Sequence, residues 1–312
     1  MLRIAHISDL HVLELKGTPW TRFANKRITG LANLAGARRN SHPVQIARAL
    51  AGAIKAADID HVLLTGDVTN LSLPSEFRAA RAVVEAIGSP EFVTLVPGNH
   101  DVYTAGALRD GRFEAFFDDY LPRPDGDNRH GRDRYPIWRE IAPHVRVYGL
   151  SSAIPAPPII AWGEVGELQR KRLVELVGQE PDRITVRIVL VHHNLHTRGP
   201  MSERTSLLRD RRQVAATLRE IHATALLHGH THGPNQWHLG RNPSDKPVFV
   251  LGCGSSTWSK PDDPDLAHFN VLEVGENGIE RVSSLRWSHA DAAFRPEFDD
   301  LLDRAQARPL SL

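Results

Sequence analysis

The chain has 312 residues, 41% hydrophobic and 24% charged, an ordinary globular composition with enough aliphatic residues for a sizeable core. Lys+Arg of 38 against Asp+Glu of 37 leaves a formal net charge of +1, which argues against wholesale nucleic-acid binding, and the single Cys253 excludes an internal disulfide. The N-terminal MLRIAHISDLHV carries charge and histidine where a signal peptide would be apolar, and no run of 18 apolar residues occurs, so the expectation is a cytoplasmic chain.

Short apolar, β-branched runs punctuated by polar or glycine clusters predict strands, and apolar spacing of three and four predicts helices between many of them. The first strand, 2–8, runs into Asp9-Leu10-His11. Eight basic residues and no acid follow between Lys16 and Lys55. Within 19–39, Trp20, Phe23, Ile28, Leu31 and Leu34 recur at roughly helical spacing, with Arg22, Lys26 and Arg27 largely elsewhere on the wheel. This basic amphipathic insertion, spanning 16–42, has three readings: contact with an anionic membrane surface, a cationic rim for phosphate substrates, or a helix packed on the domain with its cations in water.

A helix is expected over 42–57 with Pro43 at its first position, then a strand over 61–65 running into Gly66-Asp67. A second helix, 74–88, has Ser75 as candidate N-cap and stops at Gly88. The strand 91–96 leads to Gly98-Asn99-His100-Asp101, and 121–136 is a polar, proline-bounded loop. Further strands are expected at 145–150, 185–191, 223–227, 247–252, 268–274 and 280–287, helices at 163–178 and 202–223, and a helical tail from about 290 to 312. The first three strands alternate with helices, as in parallel βαβ units, and the last three read as an antiparallel meander. The fold class is therefore α/β, with layered sheets flanked by helices, in a single domain over 1–312.

Candidate metal ligands recur at the carboxyl ends of these strands, where open α/β sheets bind ligands. Besides the three clusters above, 185–191 runs into His192-His193 and 223–227 into His228-Gly229-His230-Thr231-His232. Side chains at i and i+2 of extended backbone point the same way, so Asp9 with His11, and His230 with His232, can chelate as pairs. Mixed carboxylate, imidazole and amide donors suit first-row metals.

The blocks SDLH (8–11), GD (66–67), GNHD (98–101), the post-strand His192 and GHTH (229–232) resemble, in order, the signature of the calcineurin-like metallophosphoesterases. The resemblance implies a four-layer αββα sandwich of two mixed β-sheets, with the active site at the strand C-terminal ends. It further implies two metal ions, Mn or Fe first and Zn or Co as alternatives. One would take Asp9, His11, Asp67 and His232, the other Asp67, Asn99, His192 and His230, with Asp67 bridging. The implied chemistry is hydrolysis of a small phosphate ester, above all a phosphodiester such as a cyclic nucleotide. A hydroxide between cations roughly 3.5–4 Å apart would attack phosphorus in line.

His100 is implied near the substrate phosphate as acid or transition-state stabiliser, with Asp101 orienting it or its loop. Many relatives carry an aspartate three residues after that of GD to hold this histidine; here that residue is Asn70, which cannot supply the charge. A different reading is a pyrophosphohydrolase of the UDP-diacylglucosamine type acting at a membrane surface. Others are a nuclease, disfavoured by the balanced charge, and a non-catalytic scaffold, disfavoured because every implied ligand is present. Among the remaining histidines, His228, His193 and His196 read as supporting or structural, with His193 pointing away from His192 or else contacting substrate, and His6 reads as a hydrogen-bonded core residue. Cys253 reads as a small buried hydrophobe.

Overall fold

In the computed structural model the described residues are 1–23, 27–28, 42–123, 127–197, 199, 205–231, 233, 235–244, 246–260, 263, 265–298, 301–310 and 312. The order is β1 (Leu2–Ile7), α1 (Val44–Ala56), β2 (His61–Leu64), α2 (Pro74–Ile87), β3 (Val93–Leu95), α3 (Ala105–Arg109), α4 (Arg112–Phe116), β4 (Ile137–Ala142) and β5 (Val145–Gly149). There follow α5 (Glu167–Gly178), β6 (Val186–Leu190), α6 (Arg211–Glu220), β7 (Ala225–His228), β8 (Asn235–Arg241), β9 (Pro247–Gly252), β10 (His268–Gly275), β11 (Gly278–Ser288), β12 (Ala293–Phe298) and α7 (Leu301–Gln306).

The strands form two six-stranded sheets, ordered β12-β11-β10-β1-β2-β3 and β4-β5-β6-β7-β9-β8. Both are mixed. β1, β2 and β3 are parallel and β10 joins them antiparallel, while β5, β6, β7 and β9 are parallel between antiparallel edges. Period-two alternation builds the layers of the second sheet. Val145, Val147, Ile188, Leu190, Ala225, Leu227, Phe249 and Leu251 share one core cluster with Ile4, Val62, Leu64, Val93 and Phe269 of the first sheet. Their neighbours Tyr148, Val189, Val191, Leu226, Val248 and Val250 cluster with Leu173 of α5 and Val214 and Leu218 of α6. This is the expected α/β arrangement of two mixed sheets flanked by helices.

Several local expectations are corrected. α2 starts at Pro74, and Ser75 lies inside it; Glu76 reaches back instead, its Oε2 accepting the N–H groups of Leu71 (2.8 Å) and Leu73 (3.1 Å). That carboxyl is fully enclosed, and burial pushes it up to about 8. The helix expected from 163 starts later, at Glu167, because Gly163 bridges to both Ala153 and Leu208 and holds that stretch extended; in the region expected to be helical over 202–223, residues 202–204 lie outside the described residues and α6 covers Arg211–Glu220.

The strand at 247–252 belongs to the second sheet, so the terminal meander is β10-β11-β12. The tail expected to be helical from about 290 instead supplies β12, and among its described residues only Leu301–Gln306 is helical. Most of the insertion at 16–42, including Lys26, Leu31, Leu34, Arg38 and Arg39, lies outside the described residues. Its described part contradicts the water-facing reading for Arg27, which is 4% exposed, and Trp20–Phe23 is a short 3-10 turn with Trp20 83% exposed.

Candidate metal centre

The parallel strands deliver the loops after β1, β2, β3, β6 and β7 to one edge, where backbone hydrogen bonds lace them together. Asp9 donates its N–H to Gly66 O (3.0 Å), His11 to Asp67 O (2.9 Å), and Gly229 to His192 O (3.1 Å). Space there is tight enough to require glycine. A Cβ on Gly66 would lie 2.5 Å from Gly98 N, one on Gly98 would meet Asp67 Oδ1, and one on Gly229 would meet Ser8 Oγ and Asp9 Oδ2. Gly66 also has φ +91°, where L side chains are strained. Gly66→Ala is therefore expected to destabilise the protein by about 1–3 kcal/mol or more, read by denaturant unfolding; an unchanged midpoint would contradict this packing.

Asp9, His11, Asp67 and His230 all have left-handed φ, 53°, 46°, 54° and 68°. Such backbone costs of order 1–3 kcal/mol per residue and concentrates at functional sites. Here it turns carboxylate and imidazole groups inward. Asp67 stands at the centre: its Oδ2 lies 3.2 Å from His192 Nε2 and 3.9 Å from His11 Nε2, while Oδ1 accepts the His100 N–H (2.7 Å). On one side His11 Nε2 is also 3.6 Å from Asp9 Oδ1. On the other, His192 Nε2 is 3.1 Å from Asn99 Oδ1 and 3.3 Å from His230 Nδ1. Donor atoms of His11, Asp67 and His100, and again of Asp67, His192 and His230, lie within 4.8 Å of one another. Six of the seven expected ligands thus converge; His232 lies outside the described residues.

The donor set fits metal ions. His192 Nδ1 is 2.7 Å from Thr65 O, and a carbonyl only accepts, so Nδ1 carries the hydrogen and Nε2 turns its lone pair toward Asp67, Asn99 and His230. Without a cation the charges rearrange. Burial opposes protonation of His192, but the adjoining Asp67 carboxylate outweighs it and pushes the imidazole up to about 9. Burial likewise opposes ionisation of Asp67, and the surrounding histidines, His192 first, nevertheless hold it well below the usual carboxylate range. A cation taking His192 Nε2 must displace that proton, so below about pH 9 apparent metal affinity should tighten by up to about tenfold per pH unit from this group. Calorimetric Mn²⁺ titrations in buffers of different ionisation enthalpy count the proton released; none released at neutral pH would contradict the assignment.

His100 borders the centre on its solvent side. Its Nδ1 lies 2.6 Å from the backbone carbonyl of Asn70, whose side-chain amide donates instead to His11 O (2.5 Å). Asn70 therefore fixes the imidazole through its main chain. Asp101 is fully enclosed, its carboxylate accepting the N–H groups of Gly98 (2.9 Å), Val68 (3.3 Å) and Thr69 (2.9 Å) and the Thr69 hydroxyl (3.0 Å). It ties the loop after β3 to the loop after β2. Burial, with Asp67 nearby, pushes it up to about 7.

His193 does not point away, as the sequence suggested: its ring lies 5.1 Å from that of His192 and 4.5 Å from that of His230, with Nδ1 2.7 Å from Ser152 Oγ. Gly163 leaves the room that lets it stay there, since a Cβ would strike the ring. Burial, then His230 and His192, keep it well below the ordinary histidine range. His228 and His196 are buried together, ring centroids 5.5 Å apart. His6 is a core residue bonded to Thr65 Oγ1 (3.1 Å), and Cys253 is buried and pushed up to about 12.

Three supports were not singled out from sequence. His42 lies with its ring 5.0 Å from that of His11 and Nδ1 2.8 Å from Thr257 Oγ1. Ser255 donates to Asp9 O (2.7 Å) and Thr257 to Leu10 O (2.8 Å). The small-polar run after Cys253 was the available signal for the last two; His42, far along the chain from His11, left none.

The chain is similar to known proteins. The family model for calcineurin-like phosphoesterase matches residues 2–234. The glycerophosphodiester phosphodiesterase GpdQ of Enterobacter lignolyticus (strain SCF1) is 31% identical over 98 residues, 31% of this chain and 29% of that protein. The match therefore spans under a third of the curated relative. Among solved structures, the purple acid phosphatase PPD1 from yellow lupin (Lupinus luteus) seeds superposes with TM-score 0.60 at 12% identity, covering 100% of this chain and 56% of that one. A dimetal phosphatase from Danio rerio gives TM-score 0.57 at 14% identity, covering 91% and 95%. With the match extending from β1 through the loop after β7, the chain belongs to the calcineurin-like phosphoesterases.

Proposed function

We propose that this chain is a phosphodiesterase acting on small phosphodiesters, with two metal ions, Mn or Fe, held at the centre. The observation that carries this reading is the Asp67 carboxylate set between two histidine groups, His11 on one side and His192 with His230 on the other. Asp9, His11 and Asp67, with His232, would hold one cation; Asp67, Asn99, His192 and His230 would hold the other. Bound there, two cations supply neutralisation of phosphate oxygens and an acidified water at neutral pH. His192 is oriented by Thr65, and Asp101 holds the loop that presents Asn99 and His100. His100, fixed by the Asn70 carbonyl, presents its other ring nitrogen toward the leaving oxygen and gives that oxygen a proton. The stretch similar to a glycerophosphodiester phosphodiesterase supports the diester class.

The test is hydrolysis of bis(p-nitrophenyl) phosphate by metal-stripped protein before and after adding Mn²⁺, with His192→Ala as control. Turnover that needs the metal and disappears in the variant is expected. Absence of turnover with any first-row metal would remove the reading. A second reading, a pyrophosphohydrolase of the UDP-diacylglucosamine type at an anionic membrane surface, is favoured by Trp20 and Ile159, 83% and 87% exposed. Among the described residues no helix is long and apolar enough to cross a membrane. Turnover of 3′,5′-cyclic AMP with inertness toward UDP-diacylglucosamine would decide for the first reading.

A further inference from the structure

Beside the centre lies a cavity of about 540 Å³ whose described lining includes Arg22, Arg27, Arg109 and Arg112 against one acid, Asp110. Tyr103 forms the wall toward the metal centre. Its ring is 5.6 Å from that of His100, which is in turn 4.8 Å from that of His11. The cavity therefore lies on the His100 side of the candidate ligands, and Pro155, Ala156 and Pro158 also line it.

The arginines are built into the fold. Arg27, from the insertion, is 4% exposed, with Nε on Leu71 O (2.7 Å) and Nη2 on Ser72 O (3.2 Å). Arg112, at the start of α4, places Nη1 on the same Ser72 carbonyl (2.7 Å) and Nη2 on Asp110 Oδ2 (3.1 Å). Ser72 itself has φ +56°. One strained residue thus presents a carbonyl that holds two guanidinium groups side by side, an arrangement that repulsion between like charges opposes. Burial first, and the Arg112 charge second, pull Arg27 down to about 10. Arginine is the side chain suited to planar, bidentate contact with phosphate, and a concave wall of one charge sign concentrates anions.

We infer that this cavity receives a second phosphate of the substrate, carried on the arm of the diester that leaves past His100. This rests on the phosphodiesterase reading above and narrows it to diesters with a phosphorylated leaving arm, whether a nucleotide or a glycerol-based headgroup. Cyclic diesters and esters of neutral alcohols then become poorer substrates.

Calorimetric titration of the metal-loaded protein tests the inference without needing turnover. The ligand pairs are adenosine 5′-monophosphate with adenosine 3′,5′-bisphosphate, and glycerol 1-phosphate with glycerol 1,3-bisphosphate. In at least one pair the bisphosphate should bind about tenfold tighter or more, and that pair identifies the source of the phosphate. In Arg22→Gln/Arg109→Gln the advantage should fall below about threefold, read as the ratio of the two affinities within each protein. Both residues are exposed and line the cavity, whereas replacing Arg27 would also strip donors from buried carbonyls. Equal affinities in both pairs, or an advantage that survives the double substitution, would overturn the inference. A protein that hydrolyses bis(p-nitrophenyl) phosphate yet shows no advantage keeps its phosphodiesterase assignment and loses only this pocket. Failure of hydrolysis alongside a clear advantage removes the phosphodiesterase assignment and keeps the arginine cavity only as a phosphate-binding site.

Discussion

Asp67→Asn should reduce bound metal from two ions to at most one per chain and lower turnover on the order of 10³-fold, the several kcal/mol that a clamped pair of cations supplies. The substitution is conservative in shape. Asn keeps an oxygen for the His100 N–H, now 2.7 Å from Oδ1, so the loop after β3 should stay in place. What it removes is the charge and the second oxygen: the amide NH₂ would face His192 Nε2 and His11 Nε2, where the proposed centre would need a bridging lone pair. Elemental analysis of purified protein, set beside the thermal midpoint, separates a lost bridge from a lost fold. Two ions per chain with more than a tenth of parent activity would contradict the bridging role.

His100→Ala should cut turnover by about 10²-fold or more while both metal ions remain. The ring sits among the same donors as His11 and Asp67, so metal content is the measurement that tells an acid from a ligand. The leaving group gives a second test. A p-nitrophenolate departs with little help, whereas an alkoxide needs a proton, so the loss should be larger for a glycerol diester than for bis(p-nitrophenyl) phosphate. A loss of tenfold or less on both substrates, or loss of a metal ion with the imidazole, would remove the acid role. Asn70 does not weaken this expectation as its missing carboxylate had suggested, because its backbone carbonyl meets His100 Nδ1.

The strands that escaped sequence reading share a position. β4, β8 and β12 are three of the four sheet edges, and none had been expected. Edge strands need not be apolar on both faces, and charge or proline on an edge discourages pairing with other chains. Arg139 and Glu140 in β4, Asn235 and Arg241 in β8, and Arg295, Pro296 and Glu297 in β12 break the apolar runs that betrayed the central strands. For the same reason β12 read as part of a helical tail.

The sequence by itself determined the strand-end placement of Asp9, His11, Asp67, Asn99, His100, His192 and His230, because buried parallel strands leave continuous apolar runs and these residues follow each run directly. It also determined the helices of the two βαβ stretches, where the apolar period is long enough to be unambiguous. Only the tertiary structure decided which neighbouring histidines join the centre. His193 comes to His230 because Gly163 leaves room for its ring, and His42 comes to His11 because Thr257 meets it. It decided equally that Arg27 is buried against the Ser72 carbonyl instead of facing water. A ring's or a guanidinium's direction depends on which distant backbone offers it space and a hydrogen bond, and such contacts, made across tens to hundreds of residues, impose no period on the chain.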